Sequence, residues 1–165
     1  MTDSYLTITP LGGLGEIGLN CQIWDTPEGS VLVDCGIMFP DEQQLGVDTV
    51  IPPLDAILAR RERLAGVVLT HGHEDHIGAV PWLVTFAKGL TIYGSPFTLA
   101  LVGHKLRERG ILDRADLVAI DARHDLALAG MTFRFMPVSH SIPQGFALAV
   151  DTPVGKVVHT GDFKI

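Results

Sequence analysis

The 165-residue chain is 47% hydrophobic and 19% charged, long enough for one domain that buries a substantial core. No apolar run approaches the ~18 residues of a membrane helix, and Met1 to Tyr5 carry no basic segment followed by an apolar one, so neither a membrane span nor a secretory signal is expected and the cytoplasm is the expected compartment. A net charge of -7 argues against a dedicated nucleic-acid-binding surface, because phosphate backbones reward clustered Lys and Arg.

Leu6 to Pro10, Asn20 to Trp24 and Ser30 to Asp34 read as strands of an opening β-meander, the last two joined by a turn at Thr26-Pro27-Glu28-Gly29. Between the first two, Gly13-Leu14-Gly15-Glu16-Ile17-Gly18 matches the GxGxxG fingerprint of dinucleotide-binding folds. That fingerprint needs a helix next, to aim its amino terminus at a pyrophosphate, whereas a strand and a turn follow here. No nucleotide cofactor is expected, and the glycines read as a close-approach loop rimming a cleft. Cys21 and Cys35 lie in apolar strand-like segments and read as buried free thiols without a role. After an irregular stretch from Gly36 to Pro53, helical spacing predicts a helix from Leu54 to Leu64, on which Arg60-Arg61-Glu62-Arg63 reads as a solvated face. A fully apolar strand from Val67 to Thr70, a helix from Gly78 to Phe86 and a strand from Leu90 to Tyr93 come next. Ser95-Pro96 opens a further helix with a cap and an N1 proline, and Gly110 closes it. Val118 to Ile120, Met131 to Pro137, Phe146 to Thr152 and Lys156 to His159 complete the strands, with a hairpin turn at Thr152-Pro153-Val154-Gly155. No repeat or low-complexity tract interrupts this order.

Directly after the apolar strand, His71-Gly72-His73-Glu74-Asp75-His76 packs three imidazoles and two carboxylates into six residues. Imidazole nitrogen and carboxylate oxygen are the ligands that a zinc-like cation accepts. Residues two apart in an extended stretch point the same way, so His71 and His73 can reach one ion. Asp75 and His76 fall where a helix begins, and the change of backbone geometry turns them toward a neighbouring position, which predicts two adjacent cations. The spacing is not that of a HExxH zinc-protease helix. His140 and Asp162 follow later strands, and if the strands lie side by side their carboxyl ends converge on one site.

The HxHxDH pattern resembles the metallo-β-lactamase superfamily. Gly12 to Gly18, the Asp-Cys-Gly-Ile-Met-Phe-Pro-Asp stretch at 34–41, Leu69 to Ala79, Ser139-His140-Ser141-Ile142-Pro143 and His159-Thr160-Gly161-Asp162-Phe163-Lys164 together resemble the amino-terminal part of the ribonuclease J family, in its β-CASP branch, over nearly the whole chain. The resemblance implies an α/β fold (α+β in some schemes): the first half of a metallo-β-lactamase αββα sandwich. It implies a partial domain over residues 1–165, with a β-CASP insertion, the remaining sandwich half and a last metal-binding histidine outside this chain. Such a piece alone would leave one sheet face uncovered and an edge unpaired, which predicts poor solubility or association.

The same resemblance implies that His71, His73 and His140 hold one metal, Asp75 and His76 the other, and that Asp162 bridges them. Two divalent ions are implied, zinc first, with manganese or magnesium as alternatives. Asp34 is implied to support a ligand by hydrogen bonding, its other reading being a turn-forming aspartate before glycine, and His159, two residues before Gly161, reads as a second supporting residue; Glu74, His104 and His124 are not expected to take part. The implied reaction is hydrolysis of RNA phosphodiester bonds by hydroxide activated between the two metals, with Asp75, His76 and Asp162 catalytic in that sense, as 5′-to-3′ exonuclease and endonuclease in RNA processing and decay. RNA is the implied partner, in a full-length homo-oligomer, and the fragment alone is expected to be inactive. Leu19 stands where relatives often carry lysine and Gln144 where an acid is common, departures that bear on substrate contacts rather than on the metals. Two other readings share HxHxDH: a hydrolase of thioesters, lactones or β-lactams, and a metal-stabilised, non-catalytic subunit of a nuclease assembly.

Overall fold

The computed structural model describes residues 4–42 and 44–164; Met1 to Asp3, at the start of the segment expected to carry no secretory signal, lie outside them. Two sheets face each other. The first has six strands in the spatial order of the chain: β1 (Thr7–Gly12), β2 (Cys21–Thr26), β3 (Gly29–Cys35), β4 (Leu64–Val68), β5 (Leu90–Gly94) and β6 (Ala115–Ala119). β1, β2 and β3 pair antiparallel, and β3 through β6 pair parallel. The parallel half needs crossovers, which α1 (Leu54–Leu58), α2 (Glu74–Ile77), α3 (Val80–Phe86) and α4 (Pro96–Glu108) supply. The second sheet is an antiparallel set, β7 (Leu126–Leu128), β8 (Met131–Val138), β9 (Gly145–Thr152) and β10 (Gly155–His159), in the order β10-β9-β8-β7.

Alternation along the strands divides the core in two. One face of the first sheet, with Ile23, Leu32, Val67, Leu69 and Ile92, packs under Ile57, Ile77, Leu83, Val102 and Leu106 of the helices. Its other face, with Trp24, Val31, Val33 and Val68, meets Phe133, Phe135, Leu148 and Val150 of the second sheet. The result is an α/β/β stack, a mixed α/β architecture as expected. The outer face of the second sheet carries Asp151 beside Lys156, then Arg134 and Val158 level with each other across Ala149, then Met136; Val158 and Met136 are 58% and 39% exposed.

Several boundaries differ from expectation for visible reasons. The helix begun at Leu54 stops at Leu58; Arg61, Glu62 and Arg63 after it are exposed, as expected of a solvated face, while Arg60 and Arg63 also reach back to the β2–β3 hairpin. Arg60 Nε donates to Asp25 Oδ2 at 2.9 Å and Arg63 Nη2 to the Thr26 carbonyl at 2.7 Å. These ties turn the chain so that Leu64 opens β4 beside Ser30. β6 begins three residues earlier than expected, at Ala115, and the three-residue β7 was not anticipated. α2, a single turn, precedes the expected helix over 78–86. The α4 expectation holds: the Ser95 hydroxyl accepts from Thr98 N at 3.2 Å, and Gly110 takes φ +66° past the end. No helix follows the GxGxxG match, since β2 starts at Cys21. Cys21 and Cys35 face each other across β2 and β3 as buried free thiols.

Candidate metal centre

The carboxyl ends of β3, β4, β8 and β10 lie together because β3 and β4 are parallel, and β8 and β10 both run against β9. Two backbone bonds join the segments that follow them: Phe146 N donates to Thr70 O at 2.9 Å, and Lys164 N to Ser139 O at 2.7 Å. His71, His73, Asp75 and His76 leave β4, His140 leaves β8 and Asp162 leaves β10. The structure brings all six together in two groups. His71, His73, His140 and Asp162 form one, Asp75, His76 and Asp162 the other, and the ligand atoms of each lie within 4.8 Å of one another.

The distances suit a cation. His73 Nδ1 lies 3.1 Å from both His71 Nε2 and His140 Nε2. A tetrahedral zinc with nitrogens at roughly 2.0–2.1 Å would set those nitrogens about 3.3 Å apart. One proton on His73 could satisfy one of the two neighbours, not both, whereas an ion at the centre satisfies all three. Asp162 Oδ2 lies 4.0 Å from His71 Nε2 and 3.6 Å from both His140 Nε2 and His76 Nε2. His76 Nε2 is 3.7 Å from Asp75 Oδ2. His140 Nδ1 is buried without a hydrogen-bond partner among the described residues, so that ring is oriented through its other nitrogen.

A shared set of hydrogen bonds presents the ring nitrogens. Asp34 Oδ1 accepts from Thr70 N at 2.8 Å, and Oδ2 accepts from both the Thr70 hydroxyl and His76 Nδ1, each at 2.8 Å. The Thr70 proton is thus given to Asp34, which leaves its oxygen to accept from His71 Nδ1 at 3.1 Å. Both imidazoles are held in the tautomer that frees Nε2. His159 does not touch the six; its Nδ1 accepts from Gly161 N at 3.1 Å and steadies the turn that carries Asp162. Glu74 pairs with Lys105, His104 with Glu108 and His124 with Asp121, apart from both groups.

Electrostatics divides the rings further. Burial, reinforced by charge on His76, pushes His71 down to about 4, so it is neutral at pH 7. Burial also opposes charge on His76, yet the charge and hydrogen bond of Asp34, then Asp75 and Asp162, raise its pKa above the usual imidazole value. Asp34 responds reciprocally: burial would raise it, but His76, His159 and the Thr70 amide hold it below the usual carboxylate range.

Sequence reasoning missed three contributors. Thr70 ties His71 to Asp34. Asn20 reaches Asp75 and His76. Gly36 lies so close to the histidine loop that a Cβ there would stand 1.6 Å from the Asp75 carbonyl oxygen. Backbone strain was equally hidden, since Leu19, Asp34 and Gln144 all take positive φ, at 57°, 57° and 59°, and all flank this end of the fold. The signal for Gly36 was present as a glycine following an apolar strand; Asn20 and Thr70 carried none beyond adjacency.

Residues 30–165 match the Beta-lactamase superfamily domain. The chain is 40% identical over 159 residues to Ribonuclease J of Helicobacter pylori, covering 96% of this chain and 23% of the relative. To Ribonuclease J 1 of Streptococcus pyogenes it is 41% identical over 154 residues, covering 93% of this chain and 27% of the relative. It therefore spans about a quarter of the length of these curated relatives. Among solved structures, the metallo-beta-lactamase fold protein YhfI from Bacillus subtilis superposes with a TM-score of 0.66 at 21% identity, covering 92% of this chain and 59% of that one. That likeness supports the fold, whose members imply divalent metals; with the match over most of its length, the chain belongs to the beta-lactamase superfamily.

Proposed function

We propose that this chain carries the cation-binding residues of a metal-dependent hydrolase that cleaves RNA phosphodiester bonds. The observation that carries this reading is Asp162 Oδ2, at 3.6 Å from both His140 Nε2 and His76 Nε2 and so common to the two groups. His71, His73 and His140 hold one divalent cation, Asp75 and His76 a second, and Asp162 serves both. Zinc suits the imidazole-rich set, with manganese or magnesium as alternatives where oxygen ligands dominate. When bound, such cations supply Lewis acidity and activate water at neutral pH. The chain's residues prepare for this: His71 stays neutral, Asp34 and Thr70 fix two tautomers, and Asp162 joins the groups.

Similarity to ribonuclease J supports RNA as the substrate, and 5′-to-3′ exonuclease and endonuclease action in RNA processing belong to the same proposal. So do the β-CASP insertion and remaining sandwich half in the longer protein, a homo-oligomer and a cytoplasmic setting. No described helix is long and apolar enough to cross a membrane. The negative charge is compatible with a phosphate substrate, because part of it belongs to the carboxylates that face the cations. The test uses the full-length protein, 5′-monophosphorylated RNA and added zinc or manganese. His73→Ala and Asp75→Ala should each abolish cleavage with the circular dichroism spectrum unchanged. Cleavage retained by both, or a wild-type protein that hydrolyses a thioester and not RNA, removes the reading.

A further inference from the structure

Asn20 lies outside both ligand sets, yet its side chain reaches both residues of the second. Nδ2 is 3.2 Å from Asp75 Oδ2 and 3.1 Å from His76 Nε2. Chemistry fixes the amide's orientation, because the opposite one would set an oxygen against a carboxylate oxygen and a ring lone pair. His76 Nδ1 is already committed to Asp34, so in the neutral ring, the form that binds a cation, Nε2 presents a lone pair. The two N–H hydrogens of one amide therefore occupy two of the lone pairs that a cation would take.

The backbone is committed to the same contact. Asn20 N donates to Asp75 O and Asn20 O accepts from Gly36 N, each at 2.9 Å. Gly18 at φ +99° and Leu19 at φ +57° make the turn that brings Asn20 there, with Leu19 N bonded to Ile37 O at 2.9 Å. A left-handed conformation is strained for a non-glycine residue, and here it sets a side chain against two candidate ligands.

We infer that Asn20 is a positioning residue of the second group, a neutral placeholder that keeps the Asp75 carboxylate and the His76 ring at cation-binding separation before the cation arrives. An uncharged donor suits this role. A lysine would compete as a permanent cation, and an apolar side chain would leave two lone pairs facing each other across 3.7 Å. The inference rests on the two-cation reading above.

Cation uptake separates the two. Zinc or manganese is titrated by calorimetry into chelator-treated, full-length protein, with bound metal counted by elemental analysis. Asn20→Ala should weaken the second uptake about 10- to 100-fold and leave the first, at His71, His73 and His140, within about twofold. The unchanged first uptake also reports that the variant is folded, and Asn20→Leu, nearer in volume, should repeat the split. Equal loss at both sites, or lower thermal stability with both affinities unchanged, overturns the role of Asn20. Wild-type protein that takes up no cation overturns the metal reading itself, and this inference with it.

Discussion

β2 and β3 hold a buried aspartate near each end of the first sheet, and the two are used differently. At the hairpin end, Asp25 accepts from Ser30 and from Arg60. Its partner is a permanent cation, whose remaining nitrogens include Nη1 donating to the Ala56 carbonyl at 2.9 Å. At the opposite end, Asp34 accepts from Thr70 and His76. Its partner is an imidazole whose second nitrogen points away, toward Asp75 and Asp162. The first pair is closed and contributes only to folding. The second is open, and its unfinished valence makes it a site. The difference lies in the partner's chemistry: a guanidinium has only donors left over, whereas a neutral imidazole has a second nitrogen that can ligate a cation.

The largest expected effect breaks the open end sterically. Gly36→Ala places a Cβ 1.6 Å from Asp75 O and 2.7 Å from His76 N, both main-chain atoms. It should cost at least about 3 kcal/mol or displace the histidine loop, seen in urea denaturation and lost cation uptake. Acid tests the same end next. His71 takes a proton only near pH 4 when folded, against about 6.5 unfolded. The unfolded chain therefore protonates first, and stability of the cation-free protein should fall by about 3 kcal/mol as pH drops from 6.5 to 4. His76 acts in the other sense: its contribution is present below about pH 6.5 and is lost as pH rises through its raised value. Denaturation of His71→Gln across that range should show a shallower fall.

Paired substitutions sharpen the comparison. Asp25→Asn should lower stability by roughly 1–3 kcal/mol, less than a fully buried pair because the Arg60 side chain is 32% exposed, with cation affinity unchanged. Asp34→Asn should instead weaken cation uptake about 10- to 100-fold. Equal effects of both on uptake would erase the distinction. The smallest change serves as a control: Gly89→Ala, at φ +83° with nothing within 4 Å of the added carbon, should cost about 1 kcal/mol and leave uptake intact.

Period and punctuation made much of this architecture readable. The apolar run before His71, the Ser95-Pro96 start of α4 and the β9–β10 hairpin turn are local signals, and each matches an observed element. The end of α1 was unreadable because residues far away decide it: Arg60 and Arg63 answer to Asp25 and Thr26 on the hairpin. β7 is three residues long and too short to show a period. At the site, the histidine cluster announced itself, and the resemblance supplied His140 and Asp162, which the structure brings beside it. Asn20 and Thr70 could not be found the same way, since their contacts with Asp75, His76 and Asp34 exist only once the strands are assembled.

The proton between His76 Nδ1 and Asp34 has a further consequence. Both side chains are 2% exposed, and the oxygen and nitrogen are 2.8 Å apart, so bulk solvent reaches this hydrogen only when the loop opens. Such a nucleus should resonate far downfield and exchange slowly, giving magnetic resonance spectroscopy one sharp line whose broadening reports how often the histidine loop comes apart.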